Sequence, residues 1–440
     1  MPALPPGPRS TLLQAMRYAR DPFGSSLRDL ATYGDPFTAP TVFGPQVVTA
    51  NPAVVEQVFA ADPASFAATG AAVLGPVMGT SSVMLIDGER HRAARKLLAP
   101  PFHRAAIDRL GDAIVELARH RVAALPRGRS FDIHSALREI ASDVIVRIVF
   151  GATEAATARA LTAQLFDIAR TLKPTFLLVP ALRRRFGGLS AWARFQRACE
   201  RSQALVAELI AARRDAPPSA DLLGILLGAR DASGAPPSKR EVWEQLMTFF
   251  MAGHDTTAST LAWAVQLVHR DPAVRDRLRA EVAGASDAAA LASRPYLEAV
   301  CLETLRRCPI APYIARDLRA PFAVGDHELP AGASIAISII GIHHRHELYP
   351  EPERFDPDRF LGRSYTPSQF LPFGGGARRC VGAALAMLEL KLVLGVVMQA
   401  PPLRLTGDPA IRATVRNTTV GPRGGVMVEL PVDSDHQLPG

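Results

Sequence analysis

Phe373 to Gly382, FGGGARRCVG, is the stretch from which the rest of the chain is read. It sets Cys380 after a glycine-rich loop and before an apolar segment of helical period. A thiolate there sits at a helix N-terminus, where backbone N–H groups and the helix dipole favour negative charge. Gly374, Gly375 and Gly376 admit positive φ and let backbone pass close to a flat, bulky group. Arg378 offers a fixed cation to an anionic partner. Phe373 can shield the sulfur from water, and Gly382 clears a side chain where something lies against the helix. A buried cysteine in an ordinary loop-to-helix turn is the plainer alternative. It leaves the spacing F-x-x-G-x-R-x-C-x-G unexplained.

Composition narrows the choices. A chain of 440 residues suggests two or three domains by length alone, although large single domains occur. Net charge is +8, but the arginines are spread along the chain with no aromatic-interleaved basic run, so nucleic acid is not the expected partner. Cys199, Cys301, Cys308 and Cys380 form no C-x-x-C pair and no disulfide-like framework. No signal-peptide pattern and no apolar run of about twenty residues is present. The apolar segment from Met387 to Met398 is interrupted by Glu389 and Lys391. The expectation is a cytoplasmic, monomeric chain without a membrane anchor. Residues 1–23 read as an extended, proline-rich lead-in, and no composition shift further on divides the chain.

Most of the chain has helical periodicity, with strand-like runs around Pro36–Thr41, Pro45–Thr49, Phe322–Val324 and Ser334–Ile340. Ser238 to Arg270 reads as one long helix, about 50 Å at about 1.5 Å per residue. At its middle stand Ala252-Gly253-His254-Asp255-Thr256-Thr257. Glycine and threonine are poor helix interior residues, and hydroxyls that bond back to the chain can bend a helix. A groove at this point would admit a small molecule. A harmless kink explains Gly253 and the threonines but not Asp255, an acid paired with a hydroxyl as proton delivery requires. Asp87 reads as the cap of a helix on which His91 and Arg95 share a face. Glu303 and Arg306 share a face of a later helix, and Arg354 follows in Pro352-Glu353-Arg354-Phe355. Ala61–Ser82 has no clean period and reads as a long loop. Phe176, Phe249, Ala252, Ile310, Ala311 and Ile314 are apolar candidates for a pocket wall.

The cysteine loop resembles the haem-ligand loop of the cytochrome P-450 family, and AGHDTT resembles that family's oxygen-activating motif. The E-x-x-R pair, the G-x-x-H-x-x-x-R helix and a terminal hairpin match in the family's order, over nearly the whole chain. The resemblance implies one mainly helical domain with a small β region, a triangular helical prism. Haem b would lie between the long helix and the cysteine-loop helix, with Cys380 thiolate on its iron. His91, Arg95, Arg316 and Arg378 would bind it, Phe373, Gly374, Gly382, Ala252 and Gly253 would shape its surroundings, and Asp255 and Thr256 would deliver protons. Glu303, Arg306 and Arg354 would form a buried ion-pair network holding the loop, and Val73 and Leu74 on the rim with Thr418 and Thr419 at the tip of the terminal hairpin would reach the substrate pocket.

A haem-thiolate monooxygenase is therefore the expected function. It would take two electrons from a separate ferredoxin or flavodoxin with its reductase. With dioxygen it would hydroxylate or epoxidise an apolar small molecule: a fatty acid, terpenoid, steroid or macrolide. Arg90, Arg92, Lys96, Arg379 and Lys391 are candidate partner contacts. A peroxide-driven peroxygenase and a non-catalytic haem-thiolate sensor or carrier are the alternatives, and neither calls for the Asp255–Thr256 pair. The cluster His343, His344 and His346 matches no usual metal spacing.

Overall fold

The computed structural model describes residues 4–41, 44–151, 155–172, 176, 182–184, 188–213, 219–231, 233–408, 410–416 and 419–431. The long helix runs from Lys239 to Arg270. Its start is a capping box: Ser238 Oγ accepts from the Glu241 amide, and the Glu241 side chain reaches back to the Ser238 amide. Asp271 ends it and caps the helix Pro272–Val282 by accepting from the Ala273 and Val274 amides. The middle of the long helix is continuous. The threonines answer their poor propensity by bonding back: Thr256 Oγ1 donates to the Ala252 carbonyl at 2.7 Å and Thr260 Oγ1 to Thr256 at 2.9 Å.

Helix Ile133–Phe150 lies along the long helix, and the two approach closely at Gly253. A Cβ on Gly253 would stand 2.9 Å from Ile145 Cδ1. Ile145 is buried, and burying such a side chain contributes about 1.5–3 kcal/mol. The missing side chain at Gly253 therefore lets the two helices pack closely. The cysteine-loop helix, Ala383–Gln399, also packs against the long helix and is buried around most of its circumference.

The β part is small. Strands β1 (Phe37–Thr41) and β2 (Gly44–Thr49) form the expected hairpin, with Phe37 opposite Val48. They join β3 (Phe66–Ala67), β5 (Tyr313–Leu318) and β8 (Ser334–Ser338) in one sheet of order β1-β2-β8-β5-β3. Asn51 accepts from the Ala53 amide and starts helix Pro52–Ala60, which packs against this sheet as a second core. A three-stranded sheet pairs β12 (Met427–Glu429) with β4 (Ser130–Asp132) and β9 (Arg404–Leu405). Strands β6 (Phe322–Val324) and β7 (His327–Leu329), and β10 (Ala413–Arg416) and β11 (Thr419–Pro422), are two-stranded hairpins.

Two stretches differ from the sequence reading. Residues 11–20 of the supposed extended lead-in form a helix capped by Ser10, whose side chain accepts from the Leu13 amide. Within Ala61–Ser82, residues Ala71–Met78 form a helix despite Pro76. The chain after it is pinned to the long helix rather than free. Glu244 accepts from the Ser81 amide at 2.8 Å, Gln245 from the Val83 amide at 3.2 Å, and Thr248 donates to Ser82 Oγ at 2.8 Å. No helix among the described residues is long and apolar enough to cross a membrane.

Candidate functional site

The loop before Cys380 turns through positive φ at Gly374 (65°) and Gly376 (61°), and the Cys380 amide closes it on the Phe373 carbonyl at 2.8 Å. Gly375 is fixed by a different constraint: a Cβ there would stand 2.1 Å from the Phe59 ring. At Gly382 a Cβ would meet nothing nearer than Phe102 at 4.0 Å, so that side of the helix start is open. Phe102 stacks on Phe249 of the long helix, with ring centroids 5.0 Å apart. The pair brings the start of the cysteine helix next to the middle of the long helix, where Ala252 is exposed and Thr256 half-buried.

The four cysteines separate clearly. Burial pushes the Cys199, Cys301 and Cys308 thiols up to about 12, so they stay neutral. Cys380 alone is exposed. Crowding on its protein side still pushes its thiol up, against the Gly382 amide and the charges of Arg95 and Arg379, which pull it down.

Beside the loop is a cleft of about 230 Å³ lined by His91, Arg95, Arg316 and Arg378 with Phe59 and Gly375. Among the described residues, neither Arg95 nor Arg316 meets a carboxylate. The Arg316 guanidinium donates only to the neighbouring Ala315 carbonyl, at 2.8 Å. Burial, then the charge of Arg378, pulls Arg316 down to about 10. Burial also lowers Arg95. His91 is pushed down to about 4 by burial, then by Arg378 and Arg95. Cations so placed are short of negative charge, and a group bearing carboxylates fits them.

Arg378 behaves differently from the expectation. Its charge is already met by Asp87, and it donates to the Ile86 carbonyl at 2.8 Å. Asp87 in turn accepts from the Ala68 amide and from Arg319, each at 2.8 Å. Its side chain therefore makes no cap to the helix Gly88–Leu98 that it precedes. This carboxylate ties together three segments distant in sequence, at Ala68, Arg319 and Arg378, and no local pattern marks it for that role.

The ion-pair network is present with one member changed. Arg306 is fully buried; its Nε and Nη2 donate to the two Glu303 oxygens at 2.6 and 2.8 Å. It also donates to the His343 and Pro352 carbonyls, each at 2.8 Å. Burial pushes the Glu303 carboxyl up, while Arg306 and the Asp356 amide hold it down. The second arginine is Arg359, 8% exposed, with Nε 3.6 Å from Glu303. Arg354 is corrected. Its side chain is exposed and pairs with Glu351, and only its carbonyl reaches Arg306. Pro357-Asp358-Arg359-Phe360 repeats the earlier P-x-R-F five residues on, and that repeat was the available signal. His343 is a further member: its Nε2 accepts from the Leu371 amide at 3.1 Å and its Nδ1 meets the Arg306 carbonyl at 3.2 Å. It links the charged helix to the segment entering the cysteine loop. No group of three or more acidic, histidine or cysteine side chains able to hold a metal ion occurs among the described residues.

Of the pocket candidates, Ala311 is exposed, and Leu74 and Ile314 are half-buried, with Ile314 Cδ1 standing 3.5 Å from where a Gly374 Cβ would be. Ile310 is buried, and its carbonyl accepts from the Val420 amide. Phe176 and Phe249 are corrected to core: Phe176 packs edge-on against Trp192, and Phe249 lies on Phe102. Thr418 and the side chain of Val73 lie outside the described residues. Thr419 Oγ1 lies 3.3 Å from Asp255 Oδ2. His254 points away from this region, bonded to the Phe250 carbonyl at 2.8 Å and stacked on the Phe250 ring. Lys391 is buried and bonded to Glu298, so it is not a surface contact.

A mainly helical trunk with a cysteine loop against its longest helix defines the class, and comparison with known proteins agrees. The model of the cytochrome P450 family matches residues 2–409, and the chain belongs to that family of monooxygenases with cysteine-ligated haem. It is 35% identical over 441 residues to a putative cytochrome P450 135B1 of Mycobacterium tuberculosis, covering 98% of this chain and 92% of that one. A putative cytochrome P450 138 of the same organism is 32% identical over 414 residues, covering 92% and 90%. Among solved structures, a retinoic acid-bound cyanobacterial CYP120A1 superposes with a TM-score of 0.85 at 25% identity, covering 98% and 99%.

Proposed function

We propose that this P450 uses Cys380 as the iron ligand and oxidises an apolar small molecule with two electrons from a separate ferredoxin or flavodoxin. The observation that carries the reading is the cleft beside Cys380, lined by His91, where Arg95 and Arg316 stand without carboxylate partners among the described residues. Haem, when bound, supplies the iron at which dioxygen is reduced and split, one oxygen atom going to substrate and one to water. The chain's own residues do the rest. Arg95, Arg316 and His91 would hold the propionates. The Gly382 amide and the charges of Arg95 and Arg379 stabilise the thiolate. Thr256, its proton on the Ala252 carbonyl, leaves its oxygen lone pairs free to accept a hydrogen bond on the open side of the helix. Asp255, half-buried beside it, renews the protons.

The substrate class is an apolar one: a fatty acid, terpenoid, steroid or macrolide, hydroxylated or epoxidised. Leu74, Ala311, Ile314 and Thr419 are the wall residues that support it. The retinoic acid bound by the cyanobacterial neighbour is a terpenoid acid of this kind. The test is turnover with a surrogate ferredoxin, its reductase and NADPH. Oxygenated product without added peroxide is the expected result. Product only with peroxide makes the protein a peroxygenase, and ligand-induced Soret shifts with no product under either condition make it a carrier.

A further inference from the structure

Thr419 begins strand β11 and stands opposite Arg416, the last residue of β10. Its Oγ1 lies 3.3 Å from Asp255 Oδ2 and 3.0 Å from the Arg416 carbonyl. A hydroxyl has one proton and here faces two acceptors. With Asp255 ionised, that proton points at the carboxylate. With Asp255 protonated, the carboxyl O–H donates to Thr419 Oγ1, and the hydroxyl proton turns to the Arg416 carbonyl. Both forms of the acid are hydrogen-bonded, and no heavy atom has to move.

The hairpin is held in this position from several sides. Arg416 Nη1 lies 3.0 Å from His134 Nδ1, and Ser259 Oγ lies 3.3 Å from His134 Nε2. An arginine can only donate, so Nδ1 carries the lone pair and Nε2 the proton, which goes to Ser259. His134 is thus neutral, and burial followed by the charge of Arg416 pushes it down to about 4. Ser259 lies one helical turn beyond Asp255. Gly421 makes room for this arrangement: a Cβ there would stand 3.1 Å from Arg416 Cδ and 3.3 Å from Ser259 Oγ. The Val420 amide donates to the Ile310 carbonyl at 2.8 Å. The other charged or titratable groups around this cluster are Asp132 and Arg138 from the His134 helix and its entry, and His254 on the long helix.

We propose that Thr419 is a positioning residue for Asp255, a hydroxyl that reverses its hydrogen bond as the carboxyl gains and loses a proton. Arg416, docked on neutral His134, fixes the hairpin that carries it. The inference rests on Asp255 being the relay acid of the proposed function. The step moves one proton and no electron: solvent hydronium protonates Asp255, which later releases the proton toward Thr256.

The test uses the haem-loaded protein with a plant ferredoxin, its reductase and NADPH, and no organic substrate. Peroxide formed per NADPH and the solvent deuterium isotope effect on NADPH oxidation are measured for wild type, Thr419→Val, Thr419→Ser and Asp255→Asn. Thr419→Val is expected to slow the proton-dependent step about tenfold, the scale of one hydrogen bond to a charged group, and so to raise the peroxide yield and the isotope effect. Thr419→Ser is expected to match wild type. Independently of turnover, the infrared band of the Asp255 carboxyl, identified by its loss in Asp255→Asn, should shift in Thr419→Val and stay in Thr419→Ser. Thr419→Ala repeats the measurement should the valine variant lose haem. Wild-type behaviour of Thr419→Val and Thr419→Ala beside an altered Asp255→Asn overturns the role of Thr419 and leaves the relay acid standing. An unaltered Asp255→Asn overturns the relay acid itself.

Discussion

Glu303→Gln, set beside Arg354→Ala, separates the network seen in the structure from the one expected from local sequence. Gln keeps the shape and an acceptor oxygen but removes the charge facing Arg306, whose side chain is fully buried. Removing one partner of such a pair costs about 3–5 kcal/mol, because the remaining ion stays buried without compensation. Unfolding entropy near the midpoint is about 2.1 cal/mol/K per residue, or roughly 0.9 kcal/mol/K over 440 residues. The substitution should then lower the melting temperature by about 3–5 °C. It should also speed haem loss, since Glu303 holds the Asp356 amide at 2.9 Å, and Arg306 grips the Pro352 and His343 carbonyls on the way into the cysteine loop. Arg354→Ala is the control. Its side chain meets only Glu351 in an exposed pair, so it should cost about 0–1 kcal/mol. The assay is a thermal melt of the haem-loaded protein by far-ultraviolet circular dichroism, with haem transfer to apomyoglobin followed in parallel. An Arg354→Ala variant as damaged as Glu303→Gln, or an unchanged Glu303→Gln, refutes the reasoning.

Reduced protein exposed to carbon monoxide should show the thiolate-type Soret band, and Cys380→His should replace it with an imidazole-type band. Thr256→Ala should retain haem while more of the NADPH electrons appear as peroxide; unchanged coupling would remove Thr256 from the relay. Arg316→Leu should weaken haem retention by about 1.5–3 kcal/mol, the scale of a charge-assisted hydrogen bond, as read by haem titration of the apoprotein. Acid should destabilise the fold below about pH 6.5. His343 and His134 are pushed from 6.5 down to about 3 and about 4, so each stays neutral when folded but takes up a proton when unfolded. Their contribution is complete above the unfolded value and is lost as pH falls toward the folded one. A melting temperature that stays level from pH 7 to pH 4.5 would contradict this.

The long helix, its capping box, the start of helix Pro52–Ala60 and the β1–β2 hairpin were legible because each is decided within a few residues. The cysteine loop was legible for the same reason, as two of its glycines turn through positive φ. Helix Ala71–Met78 was not, since its interior Gly75 and Pro76 argue against a helix. Among the site residues, Glu303 and Arg306 were readable as an i,i+3 pair, whereas the choice between Arg354 and Arg359 was not. Both follow a proline by two residues in near-identical tetrapeptides, and only the path of the meander turns one inward.

The amino-acid sequence by itself determined the kind of chemistry: a cysteine at a helix start, an acid beside a hydroxyl at mid-helix, and a run of motifs in one family's order. Only the tertiary structure decided which partners those groups have. Gly253 is taken up by Ile145, the charge of Arg378 by Asp87, and Asp255 by a hydroxyl 164 positions further along the chain. The physical reason is range. Helical period, capping and turn chemistry act over a few residues, while a hydrogen bond between distant elements exists only once packing has brought them within about 3 Å.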